Sequence, residues 1–67
     1  MNIRAERLNR GLSIERAAAE IGISRGTLAR AETGEMPQPR HAKAIADFFT
    51  CRVTDLWPVA DPAEETV

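Results

Sequence analysis

Between Ala17 and Glu32 the chain runs AAAEIGISRGTLARAE, and few arrangements of a short chain satisfy that stretch. Two helices that meet steeply across a tight turn need a small residue at the crossing, and Ala18 is small. The turn needs a residue free to take positive φ, and Gly22 follows four positions later. Ile21 and Ile23 flank that glycine as the apolar residues that point inward. Leu28 and Ala31 return apolar side chains from the second helix at matching turns. Ser24 supplies an N-cap oxygen directly after the turn. The spacing predicts a helix ending at Ile21, a tight turn, and a second helix from about Arg25 to Glu32.

The flanking segments are helical as well. Asn2 is placed to cap a first helix reaching about Arg10, with Ile3, Arg7 and Leu8 sharing its inner face and Gly11 as a left-handed stop. Ser13 caps the next helix from Ile14, whose inner side is Ala17, Ala18 and Ile21. Arg16 stands where a capping box would place Glu. Gly34 ends the third helix. The Met36-Pro37-Gln38-Pro39 stretch predicts a loop, because proline biases its predecessor toward extended backbone. Pro39 opens a fourth helix that continues to about Phe49 and buries Ala42, Ile45, Ala46 and Phe49. A last turn starts at Thr54 as N-cap, with Asp55 behind it, carries Leu56 and Trp57, and stops at Pro58. No stretch alternates as a strand does. The expected fold class is therefore all-α, a compact bundle of about five short helices. At 67 residues one domain is expected, over residues 1–58, with a flexible acidic tail over residues 59–67.

Composition narrows what such a bundle can do. The single cysteine, Cys51, cannot form an internal disulfide, which points to a reducing interior. One Cys and one His cannot supply the usual zinc ligands, so no metal and no cofactor are expected. No apolar run approaches the roughly 18 residues of a membrane span, and no signal-peptide core is visible. There is no phosphate-binding glycine loop. His41, expected on an exposed helix face, has no nucleophile near it in sequence. Neither an enzyme nor a small-molecule ligand is expected. The net charge of −1 by itself argues against a nucleic-acid partner. The distribution argues the other way: eight positive residues oppose five negative ones through residue 43, and one opposes five beyond it. The basic front is the part suited to a polyanion.

The residues from about Arg4 to Trp57 resemble the Cro/C1-type (XRE) helix-turn-helix family. The resemblance is carried by Arg7, Gly11-Leu12-Ser13, the turn at Gly22, Glu32-Thr33-Gly34, Pro39-Arg40, Ala44-Ile45-Ala46 and the Val53…Leu56 close. It implies a lambda-repressor-like bundle that binds double-stranded operator DNA as a homodimer, in the cytoplasm of a bacterial or phage-infected cell. A phage Cro-like or immunity-type repressor is the first expectation. An antitoxin whose acidic tail grips a toxin is one alternative, and a protein-interaction module of the same fold is another. Ile14 and the net charge favour the interaction module; Arg25, Arg30 and Arg40 on one expected face oppose it.

In that family the second helix of the motif enters the major groove with its N-terminal residues nearest the bases. Carried over, the expected base-contacting residues are Ser24, Arg25, Gly26, Ala29 and Arg30. Arg25 and Arg30 can each present a fork to guanine O6 and N7. Ala29 suits a thymine methyl. Gly26 has two readings, close backbone approach to a base or neutral drift in a supported helix. Thr27, Thr33 and Arg40 are expected on phosphates, together with the N–H groups that open the second helix. Ile14 departs from the pattern, since many relatives carry a phosphate-reaching Gln there. Arg7 and Glu32 occupy the positions of a partly buried ion pair. Arg4, Arg10 and Lys43 are expected to be surface charge. The expected dimer surface is Phe48, Val53, Leu56 and Trp57, in the apolar segment farthest from the recognition helix. Trp57 fits either the core or that surface, and adjacent Phe48 and Phe49 cannot both face one core.

Overall fold

The first four N–H groups of a helix have no partner within it, and most of the helix starts here answer that need with a side chain. Asn2 Oδ1 accepts from the Ala5 N–H at 3.1 Å and opens α1, Ile3–Asn9. Ser13 Oγ accepts from the Arg16 N–H at 3.0 Å and opens α2, Ile14–Ile21. Ser24 Oγ accepts from the Thr27 N–H at 3.1 Å and opens α3, Arg25–Glu32. α4, Pro39–Phe48, instead begins with a proline, which has no N–H to satisfy. The short α5, Val53–Leu56, follows. This computed structural model describes residues 2–57, all-helical with five helices and no strand among them. The stop at Pro58 and the acidic tail over residues 59–67 lie outside the described residues.

The turn between α2 and α3 takes the form its chemistry requires. Gly22 has φ 92°, and the N–H groups of Gly22 and Ile23 both return to the Ala18 carbonyl, at 2.9 and 3.0 Å. That geometry costs an L-residue with a Cβ roughly 1–2 kcal/mol, and glycine avoids the cost. Ala17, Ala18, Leu28 and Ala31 are buried where the two helices meet. Small residues at the crossing let the backbones approach closely. Ile3, Ala42, Ile45, Ala46, Phe49, Leu56 and Trp57 complete the core. Leu28 and Ile45 are fully enclosed, and burying each contributes about 1.5–3 kcal/mol.

Three details differ from the sequence-based expectation, and the stop of α4, close to where it is expected, takes an unusual form. Leu8 is exposed, at 53%, not inside. Ile3 and Arg7, four residues apart, already define the buried stripe of α1, and Leu8 lies about 100° further round the helix. Leu12, beyond the Gly11 turn, packs on the core from the other side. α5 begins one residue before Thr54, with Arg52 in the N-cap position. The Asp55 carboxylate accepts from the Arg52 N–H at 3.0 Å, while the Asp55 N–H donates to the Arg52 carbonyl at 2.9 Å, and the two bonds set the frame. α4 stops at Phe48 through Thr50, which holds φ 58° while Cys51 N–H donates to the Ala46 carbonyl at 2.9 Å. This is a Schellman-type stop with a β-branched residue in the glycine position. Finally, His41 is half-buried beside the loop that leads into α4, not exposed.

Candidate nucleic-acid interface

The fold turns one side of α3 inward through Leu28 and Ala31, which leaves positions 25, 26, 29 and 30 on the other side. Ser24, Arg25, Gly26 and Arg30 are exposed and Ala29 is half-buried. Gly26 has ordinary helical backbone, and a Cβ built there would meet only the tip of Arg30, with Nη1 at 3.5 Å. Nothing among the described residues therefore requires a glycine, although it costs the helix about 1 kcal/mol relative to alanine. Gly26→Ala is expected to raise unfolding stability by roughly that amount in urea titrations. A destabilised variant would mean that the described packing omits a constraint at this position.

The arginines are not free in solution. Arg25 Nε donates to Glu15 Oε2 at 2.8 Å, which ties the first turn of α3 to the first turn of α2. Arg30 Nε lies 3.3 Å from Glu35 Oε2. Both pairs are solvent-exposed, so each is worth about 0–1 kcal/mol and can yield to a stronger partner. The Glu15 carboxyl is held below the usual carboxylate range, first by its own backbone N–H and then by the Arg25 guanidinium. A phosphate approaching the start of α2 would therefore meet a carboxylate as well as free N–H groups. Ile14 is half-buried and packs against the core.

The threonines expected on phosphates already have partners. Ser24 Oγ and Thr27 Oγ1 lie 2.8 Å apart, and that bond uses one of their two hydroxyl protons. The other proton remains available to an outside acceptor. Thr33 Oγ1 donates to the Arg30 carbonyl at 2.7 Å and would have to release it to bind a phosphate oxygen. Arg40 is exposed in the first turn of α4 and forms no ion pair among the described residues. Between α3 and the following loop lies a cleft of about 290 Å³, with Thr27, Arg30, Glu35 and His41 on its walls. Arg16 and Lys43 are paired along their own helices with Glu20 and Asp47.

The C-terminal end of α3 is fixed from behind. Arg7 Nε and Nη2 donate to the two Glu32 carboxylate oxygens at 2.6 and 3.2 Å, and Arg7 Nη1 donates to the Leu12 carbonyl at 2.8 Å. Both side chains are about nine-tenths enclosed. The Glu32 hydrogen bond, foremost, raises the Arg7 pKa against the opposing cost of burial. Of the four residues expected on a dimer surface, Leu56 and Trp57 are buried in the chain's own core, because α5 folds back against α4. Phe48 and Val53 are half-buried. Arg10, expected to be a loose surface charge, lies 5.2 Å from the Phe48 ring centroid and donates to the Phe48 carbonyl at 2.9 Å.

Glu15, Glu35 and Arg10 were the residues that sequence reasoning missed. Each makes its contact between elements. A signal existed for Glu15 alone, since it and Arg25 both open helices that meet steeply across Gly22.

A glycine turn joining two short capped helices, the second packed by one face and offering a basic outer face, defines a helix-turn-helix protein. The Helix-turn-helix family model matches residues 3–56, from the first residue of α1 to the last of α5. The chain belongs to the Cro/C1-type (XRE) helix-turn-helix family, a family of DNA-binding transcription regulators. No curated protein and no solved structure matches it. Among the described residues no helix is long and apolar enough to cross a membrane.

Proposed function

We propose that the chain is a sequence-specific repressor of the Cro-like kind, which binds a two-fold operator as a homodimer and reads bases through α3. The observation that carries this reading is the outer face of α3. Two arginines held only by exposed ion pairs flank a glycine that packing among the described residues does not require. Ser24, Arg25, Gly26, Ala29 and Arg30 then face bases, while Thr27, Thr33 and Arg40 face phosphates on either side. The Ser24–Thr27 hydroxyl pair supports this with one free proton, and Arg40 with a charge that has no ion-pair partner among the described residues. A structural role for Arg7 and Glu32, holding the end of α3, completes the assignment.

The test is selection of duplexes from a randomised pool by the wild-type chain, followed by anisotropy titration of the selected and scrambled duplexes at two salt concentrations. A binding constant that falls steeply with salt, together with a selected duplex bound more tightly than a scrambled one, is the expected result. Equal binding to both duplexes would remove sequence-specific recognition.

A dimer would place two α3 helices on half-sites about one DNA turn apart. Phe48 and Val53 are the residues left to carry such an interface, since each retains exposed apolar surface in the segment that includes α5. Sedimentation at high protein concentration is expected to give the mass of two chains, and Phe48→Glu the mass of one. A wild-type monomer throughout that range would count against this interface.

A further inference from the structure

The two arginines proposed to read bases both meet a carboxylate, and both meet it through the same atom. Arg25 Nε donates to Glu15 Oε2 at 2.8 Å, and Arg30 Nε lies 3.3 Å from Glu35 Oε2. A guanidinium has a side edge, formed by Nε and one Nη, and an end edge, formed by its two Nη atoms. Arg7 commits its side edge fully, giving Nε and Nη2 to Glu32. Arg25 and Arg30 do not: neither donates an Nη hydrogen bond to any described residue. In both, the end edge is left open, and it is this edge whose parallel N–H groups match guanine O6 and N7. The carboxylates come from outside α3, Glu15 from the first turn of α2 and Glu35 from the loop after Gly34.

Resting on the reading of α3 as the recognition helix, we infer that Glu15 and Glu35 are positioning residues, which hold Arg25 and Arg30 by Nε and aim their open edges at guanine. An exposed arginine otherwise samples many rotamers, and ordering it on binding lowers affinity. A carboxylate that restricts those rotamers in the free protein offsets part of that loss. The same carboxylate repels phosphates whatever the sequence, so removing it raises affinity for all DNA while lowering discrimination between bases. A carboxylate that merely masked the arginine would, once removed, raise affinity and leave discrimination intact.

The experiment compares the wild-type chain with Glu15→Ala, Glu35→Ala and Glu20→Ala. Glu20 pairs with Arg16 on α2, so its removal makes the same charge change without touching an α3 arginine. Each variant is titrated against a duplex selected by the wild type and against copies in which single guanines are replaced by 7-deazaguanine, which lacks the N7 acceptor. Circular dichroism checks that each variant is folded. Glu15→Ala is expected to lose roughly two- to twelvefold of the guanine discrimination at the position where Arg25→Ala loses it. Glu35→Ala does the same at the Arg30 position, and Glu20→Ala keeps full discrimination. Unchanged discrimination in both Glu15→Ala and Glu35→Ala, or an equal loss in Glu20→Ala, overturns the inference and leaves the recognition reading standing. If Arg25→Ala and Arg30→Ala change discrimination at no guanine, the recognition reading fails and the inference falls with it.

Discussion

Arg7→Ala is expected to cost the fold about 3–5 kcal/mol, because it leaves the enclosed Glu32 carboxylate without its partner. A domain of this length holds roughly 3–10 kcal/mol in total, so most or all of the stability goes with that one side chain. The loss has two parts. Arg7 bridges α1 to the end of α3 through Glu32, and it also satisfies the Leu12 carbonyl in the loop before α2. The pair is not itself a large net gain, since bringing both charges out of water costs nearly what their attraction returns. The double variant Arg7→Met/Glu32→Leu, which leaves no charge unpaired and loses only the Leu12 bond, is therefore expected to be less destabilised than either single change. The raised Arg7 pKa means that its contribution is complete below the ordinary arginine range and is lost only as pH rises through the still higher native value. Urea unfolding of the wild type, Arg7→Ala, the double variant and its two single changes is the measurement. An Arg7→Ala variant within about 1 kcal/mol of wild type would show that the pair is ornamental.

The reasons why some of this was legible in the sequence, and some not, are physical. The α2–α3 turn was legible because its chemistry is local: positive φ at Gly22 and a cap at Ser24 need particular residue types at particular positions. The core faces of α2, α3 and α4 followed from spacing alone. Leu8 was misplaced because a seven-residue helix is too short for its spacing to separate a one-position rotation of the buried stripe. The end of α4 near Phe49 was legible, but the left-handed Thr50 that makes the stop was not, because that conformation normally selects glycine. At the site, the Arg7–Glu32 pair spans 25 residues and was suggested only by resemblance. The Glu15–Arg25 contact depends on the angle between two helices, which no periodicity encodes. Local rules reach the elements and their caps; contacts between elements wait for the fold.

Arg25→Ala/Arg30→Ala is the variant expected to change function most while leaving the fold intact. A bidentate arginine–guanine contact is worth about 1–3 kcal/mol of discrimination, so two independent contacts are worth roughly 2–6 kcal/mol. Preference for the selected duplex over a scrambled one is expected to fall by roughly 30-fold to 2 × 10⁴-fold. Stability should move by no more than about 1 kcal/mol per site, since each lost ion pair is exposed. Arg40→Ala provides the contrast. Its charge has no ion-pair partner among the described residues, and its proposed contact is to phosphate. That variant should weaken binding to every duplex by a similar factor and reduce the salt slope by about one ion, with discrimination preserved. The two variants thus separate contacts that specify from contacts that merely hold. If the double arginine variant loses affinity evenly across all duplexes and keeps its preference, Arg25 and Arg30 are phosphate contacts. The residues that specify would then have to be sought elsewhere on the surface.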